Sequence, residues 1–222
     1  QENELAVKGC YEAVEIYICE DIYNKSIDFG QVKVFTITKQ VFEKLAYRKS
    51  TGGIIGVYKT KSSTLTDLQL PENALVVVLE AVEKPGNLGA VLRTGDGAKV
   101  DAVIVCDETV DFFNPNVIRS SVGTLFTNQI ASASKEAVLE FLKSHSIQVV
   151  STFLRDETKN LYETDFTKSS AIILGTEATG LSDFWADHSD SLIKIPMLGF
   201  VDSLNVSNAA AICVYEAVRQ RQ

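Results

Sequence analysis

The polar side chains with the clearest chemical potential lie near the C-terminus of the 222-residue chain, between a predicted strand and a predicted helix. Pro196 ends the strand that begins at Leu192, because proline cannot donate a hydrogen bond within a sheet. After Gly199, either Ser203 or Asn205 can cap a helix that runs to the C-terminus. A strand, a polar loop and a helix N-terminus form the usual ligand-binding place of an α/β protein, although a simple capped helix gives the same pattern.

A second set of candidates follows the apolar segment 74–79. Asn87, Gly89 and Arg93 open a predicted helix, in which Gly89 and Arg93 share one face. Because glycine leaves space above it, we expect Arg93 to lie over Gly89 and to present its guanidinium at the helix N-terminus. An arginine beside free backbone N–H groups is a plausible contact for an anion or a phosphate. The alternative is a surface arginine in a helix that glycines weaken.

A third candidate segment, residues 175–181, follows the apolar segment 171–174. Gly175 and Gly180 bracket a tight loop whose backbone can approach a flat ligand, and Glu177 can accept hydrogen bonds. The loop lacks the G-x-G-x-x-G pattern and follows a late strand, so it gives little support to a dinucleotide-dependent oxidoreductase. An ordinary turn is the alternative interpretation.

The elements that must position these residues form an α/β domain over residues 71–222. Four apolar segments are typical of strands buried on both faces of a parallel sheet: 74–79, 102–106, 147–150 and 171–174. Predicted helices lie between them at 87–98, 116–122 and 135–144. This alternation predicts a doubly wound parallel sheet, and the carboxyl ends of its strands should bring the three polar segments to one edge.

Residues 1–70 predict a smaller α+β domain, with strands at 12–19, 32–37 and 54–58 and a helix at 39–46. Residues 4–8 have the pattern of the middle of a helix, so we expect further residues to precede Gln1 in the native protein. We interpret residues 61–71, rich in serine and threonine, as the linker to the second domain.

Four cations on the first domain form a candidate surface for binding a phosphate backbone. Arg48 and Lys49 precede Gly52 and Gly53, and Lys59 and Lys61 follow the third strand. Cations next to a flexible glycine pair can grip a phosphate backbone. A solvated turn with ordinary lysines is the alternative.

Composition limits the remaining classes of function. A net charge of −8 argues mildly against a nucleic-acid partner, although only the surface that touches phosphate must be basic. We find neither an apolar segment of membrane-spanning length nor a signal peptide, and we expect a cytoplasmic protein without a membrane partner. The four cysteines show no C-x-x-C pair and predict free thiols, and His145 and His188 lie in polar surroundings, so we expect no metal site.

Together, the three segments resemble the signature motifs of the SpoU (TrmH-like) branch of the SPOUT RNA methyltransferases. The first motif is similar to Asn87-x-Gly89-x-x-x-Arg93, and the second to Gly175-Thr176-Glu177-x-x-Gly180-Leu181. The third is similar to Ile195-Pro196-Met197-x-Gly199 followed by residues 203–207, and it is close to diagnostic. The resemblance covers residues 74–220. Residues 1–70 resemble, more weakly, the ribosomal-protein-like RNA-binding domain of that family.

This resemblance implies an α/β domain whose C-terminus is threaded into a deep trefoil knot, an exception to the rule that chains avoid knots. It implies a homodimer and the cofactor S-adenosylmethionine, with the adenosyl part against Gly175, Ile195 and Leu204. The remaining cofactor-binding residues implied by the motifs are Thr176, Gly180 and Met197.

The implied reaction is transfer of a methyl group to a ribose 2′-hydroxyl of RNA. Arg93 and Asn87 would orient the hydroxyl and the neighbouring phosphate, because a guanidinium with a pKa above ~12 is a reluctant base. Ser203 and Asn205 would position the ribose or Arg93, and Glu177 would orient Asn87 or Arg93. The combination of domains favours ribosomal RNA; the alternatives are a transfer RNA methyltransferase and a catalytically silent RNA-binding member of the fold.

Overall fold

The computed structural model describes residues 1–47, 52–155, 158–175 and 180–222. It divides the chain into two units, residues 1–61 and 62–222. Each unit has its own sheet: three strands in the first unit and seven in the second, among the described residues.

The first unit contains helix α1 (Glu2–Lys8), strands β1 (Ala13–Ile18) and β2 (Lys33–Thr36), helix α2 (Lys39–Leu45) and strand β3 (Ile54–Tyr58). Strand β1 is central, parallel to β2 and antiparallel to β3. The Thr38 side chain caps α2 by accepting from the backbone N–H of Val41, as expected from a threonine before an apolar helix. The predicted strands and helix agree with these elements to within about two residues at each end.

The second unit alternates strands and helices along nearly its whole length. Its strands are β4 (Leu75–Glu80), β5 (Ala102–Cys106), β6 (Ile130–Ala133), β7 (Gln148–Thr152), β8 (Lys159–Asn160), β9 (Ser170–Leu174) and β10 (Ser191–Lys194). Its α-helices are α3 (Pro85–Ala98), α4 (Pro115–Ser120), α5 (Lys135–Ser144), α6 (Asp183–His188) and α7 (Val206–Gln220). Short 3₁₀ helices occur at Leu65–Asp67, Thr124–Phe126 and Leu161–Glu163.

The strand order of this sheet is β6-β5-β4-β9-β7-β10-β8, and every neighbouring pair is parallel. Two apolar clusters cover its two faces. Leu75, Val77 and Leu79 of β4 pack with α3, α4 and α7, whereas Val76 and Val78 pack with α5 and α6. The doubly wound parallel sheet predicted from the sequence is therefore confirmed, and the trefoil knot stays a prediction.

The boundary between the units lies after Lys61 rather than after residue 70. Residues 62–70 belong to the second unit because they bond to its edge strand and its core. The N–H of Ser132 donates to the carbonyl of Ser63 at 2.8 Å, and Leu68 packs in the cluster beside α5. This segment has too few apolar residues for its attachment to be read from the sequence.

The thiols of Cys19, Cys106 and Cys213 are buried and free, and Cys10 is exposed. Burial raises the pKa of Cys213 to about 12, so this thiol stays protonated in the core. Among the described residues, no helix is both long enough and apolar enough to cross a membrane.

Candidate active site

A cavity of about 640 Å³ lies at the carboxyl edge of the seven-stranded sheet. Its walls come from the segments that follow β7, β9 and β10 and from the first turn of α7. The residues that line it include Phe153, Leu154, Arg155, Gly175, Gly180, Leu181, Ser182, Ile195, Met197, Ser203, Leu204 and Val206. Its volume falls in the usual range for small-molecule and cofactor sites, about 300–1,000 Å³.

Gly175 and Gly180 bring the two ends of the second motif together. A Cβ atom at Gly175 would collide with the backbone of Gly180 and with the N atom of Leu181. Gly180 has a φ of +68°, a left-handed conformation that residues with a side chain rarely adopt. Both positions therefore need glycine, and both expose backbone to the cavity, as expected for a loop that approaches a flat ligand.

The third motif supplies another wall of the cavity and the start of α7. Of the two candidate caps, Asn205 is the one used: its Oδ1 accepts from the N–H of Ser207 at 2.9 Å and from the Ser207 hydroxyl at 2.6 Å. Ser203 instead lines the cavity, and its hydroxyl donates to Asp202 at 3.0 Å.

A hydrogen bond between two asparagines joins the first motif to the third. Nδ2 of Asn205 donates to Oδ1 of Asn87 at 3.2 Å, across 118 positions of sequence. Because Leu204 and Val206 on either side of Asn205 line the cavity, this bond places Asn87 and the first turn of α3 beside it. The expectation that the polar segments gather at one edge of the sheet is confirmed for these residues.

Gly89 has a different role from the one expected. A Cβ atom there would meet the hydroxyl of Ser120 and would lie 2.7 Å from the carbonyl oxygen of Val117, both on α4. The expectation that Gly89 leaves space for Arg93 is therefore wrong, because the neighbouring helix fills that space. Arg93 is exposed on α3.

Four candidate residues lie outside the described part of the chain: Thr176 and Glu177 of the second motif, and Arg48 and Lys49 of the first domain. The other two candidate RNA-binding cations are exposed but already have partners. Nζ of Lys59 lies 2.6 Å from Oε1 of Glu12. Nζ of Lys61 donates to the carbonyl of Gly9 at 2.5 Å and lies 4.7 Å from the ring centroid of Tyr11. The carboxylate of Glu12 offsets part of the charge of Lys59, whereas the partners of Lys61 are uncharged and leave its positive charge unchanged.

Sequence reasoning missed two charged clusters next to the cavity. Arg155 forms an ion pair with Asp183, and its guanidinium lies 5.0 Å from the ring centroid of Phe153. Glu80, at the end of β4, bonds to Ser182 and lies near Lys135. The sequence does show a charged residue, Glu80, directly after an apolar segment. Its partners Ser182 and Lys135 are too distant in the sequence to be predicted.

The region around Glu80 is buried and contains the negative charges of Glu80 and Asp107. Burial raises the pKa of the adjacent Cys106 thiol, and the negative charges of Glu80 and Asp107 raise it further. The thiol therefore stays neutral and is a poor nucleophile. Among the residues that the structure describes, no group of three or more His, Cys, Asp or Glu side chains could hold a metal ion.

Comparison with known families matches residues 74–215 to the SpoU rRNA Methylase family. The 23S rRNA (guanosine-2'-O-)-methyltransferase RlmB of Pasteurella multocida is 35% identical to this chain over 202 residues. This match covers 83% of the chain and 78% of that protein. The chain spans only 60 to 63% of the length of three further curated relatives.

Solved structures with the same fold include both ribosomal and transfer RNA enzymes. A crystal structure of an RNA 2'-O ribose methyltransferase is 34% identical, with a TM-score of 0.85, and covers 99% of this chain and 86% of that one. An AdoMet-bound rRNA methyltransferase from Sinorhizobium meliloti is 25% identical, with a TM-score of 0.87, and covers 98% of this chain and 85% of that one.

A TrmH/SpoU tRNA modifying enzyme from A. aeolicus is 30% identical, with a TM-score of 0.62, and covers 71% of this chain and 79% of that one. The match over residues 74–215 includes all three motifs. The second and third of these motifs line the cavity. This chain belongs to the SpoU rRNA methylase family.

Proposed function

We propose that this protein transfers a methyl group from S-adenosylmethionine to a ribose 2′-hydroxyl of RNA. The observation that carries the proposal is the cavity of about 640 Å³ whose walls are the second and third motifs, with Asn87 held beside it by Asn205. The AdoMet-bound relative from Sinorhizobium meliloti supports the choice of cofactor.

The residues present fit this cofactor. Gly175 and Gly180 leave their backbone bare at the cavity wall, so a planar group can approach it closely. Ile195, Met197 and Leu204 supply apolar wall for the adenosyl part. When bound, S-adenosylmethionine supplies an electrophilic methyl group on a positively charged sulfur.

The chain's own part in the reaction is mainly one of alignment. A ribose hydroxyl is a weak nucleophile, so holding its oxygen in line with the methyl group lowers the barrier. Arg93 binds the neighbouring phosphate, and Asn87 and Ser203 hold the ribose. Asn205 keeps Asn87 in place through the bond already described. A guanidinium is suited to phosphate binding and poorly suited to taking the proton.

Ribosomal RNA is the substrate class that we favour. The relative from Pasteurella multocida is named as a 23S rRNA methyltransferase and matches 83% of this chain. The tRNA modifying enzyme from A. aeolicus covers only 71% of it, whereas the rRNA methyltransferase from Sinorhizobium meliloti covers 98%. The relatives that act on ribosomal RNA thus share more of the architecture, including the first unit, which we propose to bind RNA through Arg48, Lys49, Lys59 and Lys61.

We further propose that the protein works as a homodimer in the cytoplasm, and that the SpoU domain includes the knot. The presence of Asn87, Arg93, Ser203 and Asn205 favours an active enzyme over a silent RNA-binding member of the family. The oligomeric state is tested directly by sedimentation equilibrium of the protein at several concentrations.

Calorimetric titration of S-adenosylmethionine into the wild type and into Gly175→Trp tests the cofactor site. Even a Cβ atom at residue 175 would displace the backbone of Gly180 and with it the cavity wall, so we expect the variant to lose measurable binding. Thermal unfolding shows whether the variant is folded. Gly86→Ala is the matched control, because no atom lies within 4 Å of a Cβ placed there. A wild type that is folded and does not bind would contradict the proposal.

A further inference from the structure

Glu80 is a buried carboxylate at the end of the central strand β4, with only 5% of its surface exposed. Its two oxygens accept hydrogen bonds from one residue on a distant loop. Oε2 accepts from the backbone N–H of Ser182 at 2.7 Å, and Oε1 accepts from the Ser182 hydroxyl at 2.6 Å. Hydrogen bonds to an ionised group are about twice as strong as those between neutral groups.

Lys135 balances part of the charge of Glu80. Its Nζ lies 4.0 Å from Oε1 of Glu80 and 3.6 Å from Oδ2 of Asp107. A buried carboxylate is costly unless it is hydrogen-bonded and paired, and here both conditions are met. The arrangement therefore holds three segments together at the end of the sheet: β4, the start of α5 and the residue before α6.

Ser182 occupies the N-cap position of α6, where serine normally bonds to the first turn of its own helix. Its side chain makes no such bond, and its hydroxyl donates to Glu80. Ser182 thus uses its hydroxyl for a contact 102 positions away rather than to cap α6. Such an exchange fixes the loop that ends at Ser182 more than it stabilises the short helix α6.

The loop that Glu80 fixes is the one that forms the cavity wall. Gly180, Leu181 and Ser182 all line the cavity, and Gly180 lies against Gly175 at the other end of the second motif. Displacement of Ser182 would shift Gly180, whose left-handed backbone has no side chain to hold it in place. A change at Glu80 therefore reaches the cavity through Ser182 without any contact between Glu80 and the ligand.

We propose that Glu80 is a positioning residue for the cofactor loop: by holding Ser182 it keeps Gly180 and Leu181 in the conformation that accepts S-adenosylmethionine. This inference rests on the proposed function. According to this inference, a residue at the end of β4 raises the affinity for the cofactor without touching it.

The test uses Glu80→Gln, Ser182→Ala and the double variant, with Glu216→Gln as the matched control. Glu216 is also a buried carboxylate with hydrogen-bond partners, Arg219 and Gln220, but it lies near the C-terminal end of α7 and does not line the cavity. Thermal unfolding shows which variants are folded. If Glu80→Gln fails to fold, Ser182→Ala removes only the hydroxyl and carries the test.

We expect Glu80→Gln and Ser182→Ala each to weaken S-adenosylmethionine binding about tenfold, since each loses a charge-assisted bond. The double variant should be no weaker than the worse single variant, because both changes remove the same contact. KM for the cofactor should rise more than kcat falls. In ligand-free protein, the amide protons of residues 180–182 should exchange faster with solvent in Glu80→Gln than in Glu216→Gln.

Wild-type affinity and unchanged amide exchange in folded Glu80→Gln or Ser182→Ala would overturn the inference and leave the proposed function intact. Equal losses of affinity in Glu216→Gln would also overturn it, because the effect would then follow general stability. A wild type that binds no S-adenosylmethionine would instead overturn the proposed function, and this inference with it.

Discussion

Asn205 performs two tasks with the two ends of one amide. Its Oδ1 caps α7 by accepting from Ser207, and its Nδ2 donates to Asn87 on α3. The first task is local and concerns stability, whereas the second joins two of the three motifs beside the cavity. Because different atoms do the two tasks, substitutions can separate them.

We predict that Asn205→Ser keeps the stability of the wild type and that Asn205→Ala loses about 1 kcal/mol, the usual cost of an N-cap. Serine caps a helix as well as asparagine does but is too short to reach Asn87. Both variants should therefore lose methyltransferase activity, despite their different free energies of unfolding. Urea denaturation and a methyl-transfer assay make the comparison. Full activity in Asn205→Ser would show that the bond to Asn87 has no part in the reaction.

Contacts between residues close in the sequence could be predicted, whereas contacts between distant residues could not. The cap at Asn205 was one of two alternatives offered by the sequence, because an N-cap depends only on the next few residues. The close approach of Gly175 and Gly180 was also predictable, since two glycines five positions apart after a strand favour a tight loop. The bond between Glu80 and Ser182 was not, because nothing local to either residue identifies the other.

At the scale of elements, the helices α3 and α4 touch at a position that only glycine fits. The carbonyl oxygen of Val117 lies 2.7 Å from the place of a Cβ atom on Gly89. That oxygen belongs to the backbone, so it cannot turn away as the Ser120 hydroxyl could. The contact sets how close α4 comes to the helix that carries Asn87 and Arg93.

We predict that Gly89→Ala destabilises the second unit by up to about 2 kcal/mol, because the overpacking cost reaches roughly 3 kcal/mol and the gain in helix propensity is only about 1 kcal/mol. Gly97→Ala, later in the same helix, is the control. Its Cβ would lie 3.4 Å from the Tyr215 hydroxyl, the mobile end of an exposed side chain. Thermal unfolding should show a stable Gly97→Ala; equal destabilisation of the two variants would refute the packing argument.

The elements predicted most accurately are those with the strongest local pattern. Ala102–Cys106 and Lys135–Ser144 were predicted with their observed bounds, since one is a continuous apolar segment and the other a capped amphipathic helix. Strands β6 and β8 and helix α6 were missed. Ile130–Ala133 contains only one large apolar residue, and its strand conformation depends on pairing with β5. Lys159–Asn160 has two residues and no pattern of its own.

At the scale of the second unit, Arg221 fastens the end of α7 to segments far away in the sequence. Its guanidinium donates to four backbone carbonyls, those of Asn73, Ala74, Phe166 and Lys168, at 2.6–3.2 Å. Burial lowers the pKa of Arg221, but an arginine remains charged at any ordinary pH. These bonds join the last helix to the start of β4 and to the segment before β9.

We predict that Arg221→Ala lowers the free energy of unfolding by about 2 kcal/mol, because it leaves several carbonyls without their charged donor. Arg219→Ala is the control. Its guanidinium is 69% exposed, and Gln220 still donates to Glu216 without it, so its loss should cost less than the loss of Arg221. Urea denaturation measures both. A smaller loss for Arg221→Ala than for Arg219→Ala would show that the four carbonyls do not depend on Arg221.

The sequence predicted the architecture of this unit better than its connections. Apolar segments in alternation with helices indicated the doubly wound sheet, because burial on both faces leaves a clear pattern. The insertion of β9 between β4 and β7 and the attachment of residues 62–70 depend on long-range contacts that no local pattern encodes. The family resemblance, rather than periodicity, supplied the cofactor and the reaction.

The central claim is that the protein methylates a ribose 2′-hydroxyl of RNA. The most direct test incubates it with ribosomal RNA and S-adenosylmethionine carrying a radiolabelled methyl group, and then hydrolyses the RNA in alkali. A 2′-O-methyl group blocks the hydroxyl that alkali needs for cleavage, so the account predicts label in alkali-resistant dinucleotides. Arg93→Ala should abolish this label, and Gly86→Ala should retain it. Label in mononucleotides would show methylation of a base, and no label with a wild type that binds the cofactor would show a silent member of the family; either result would contradict the account.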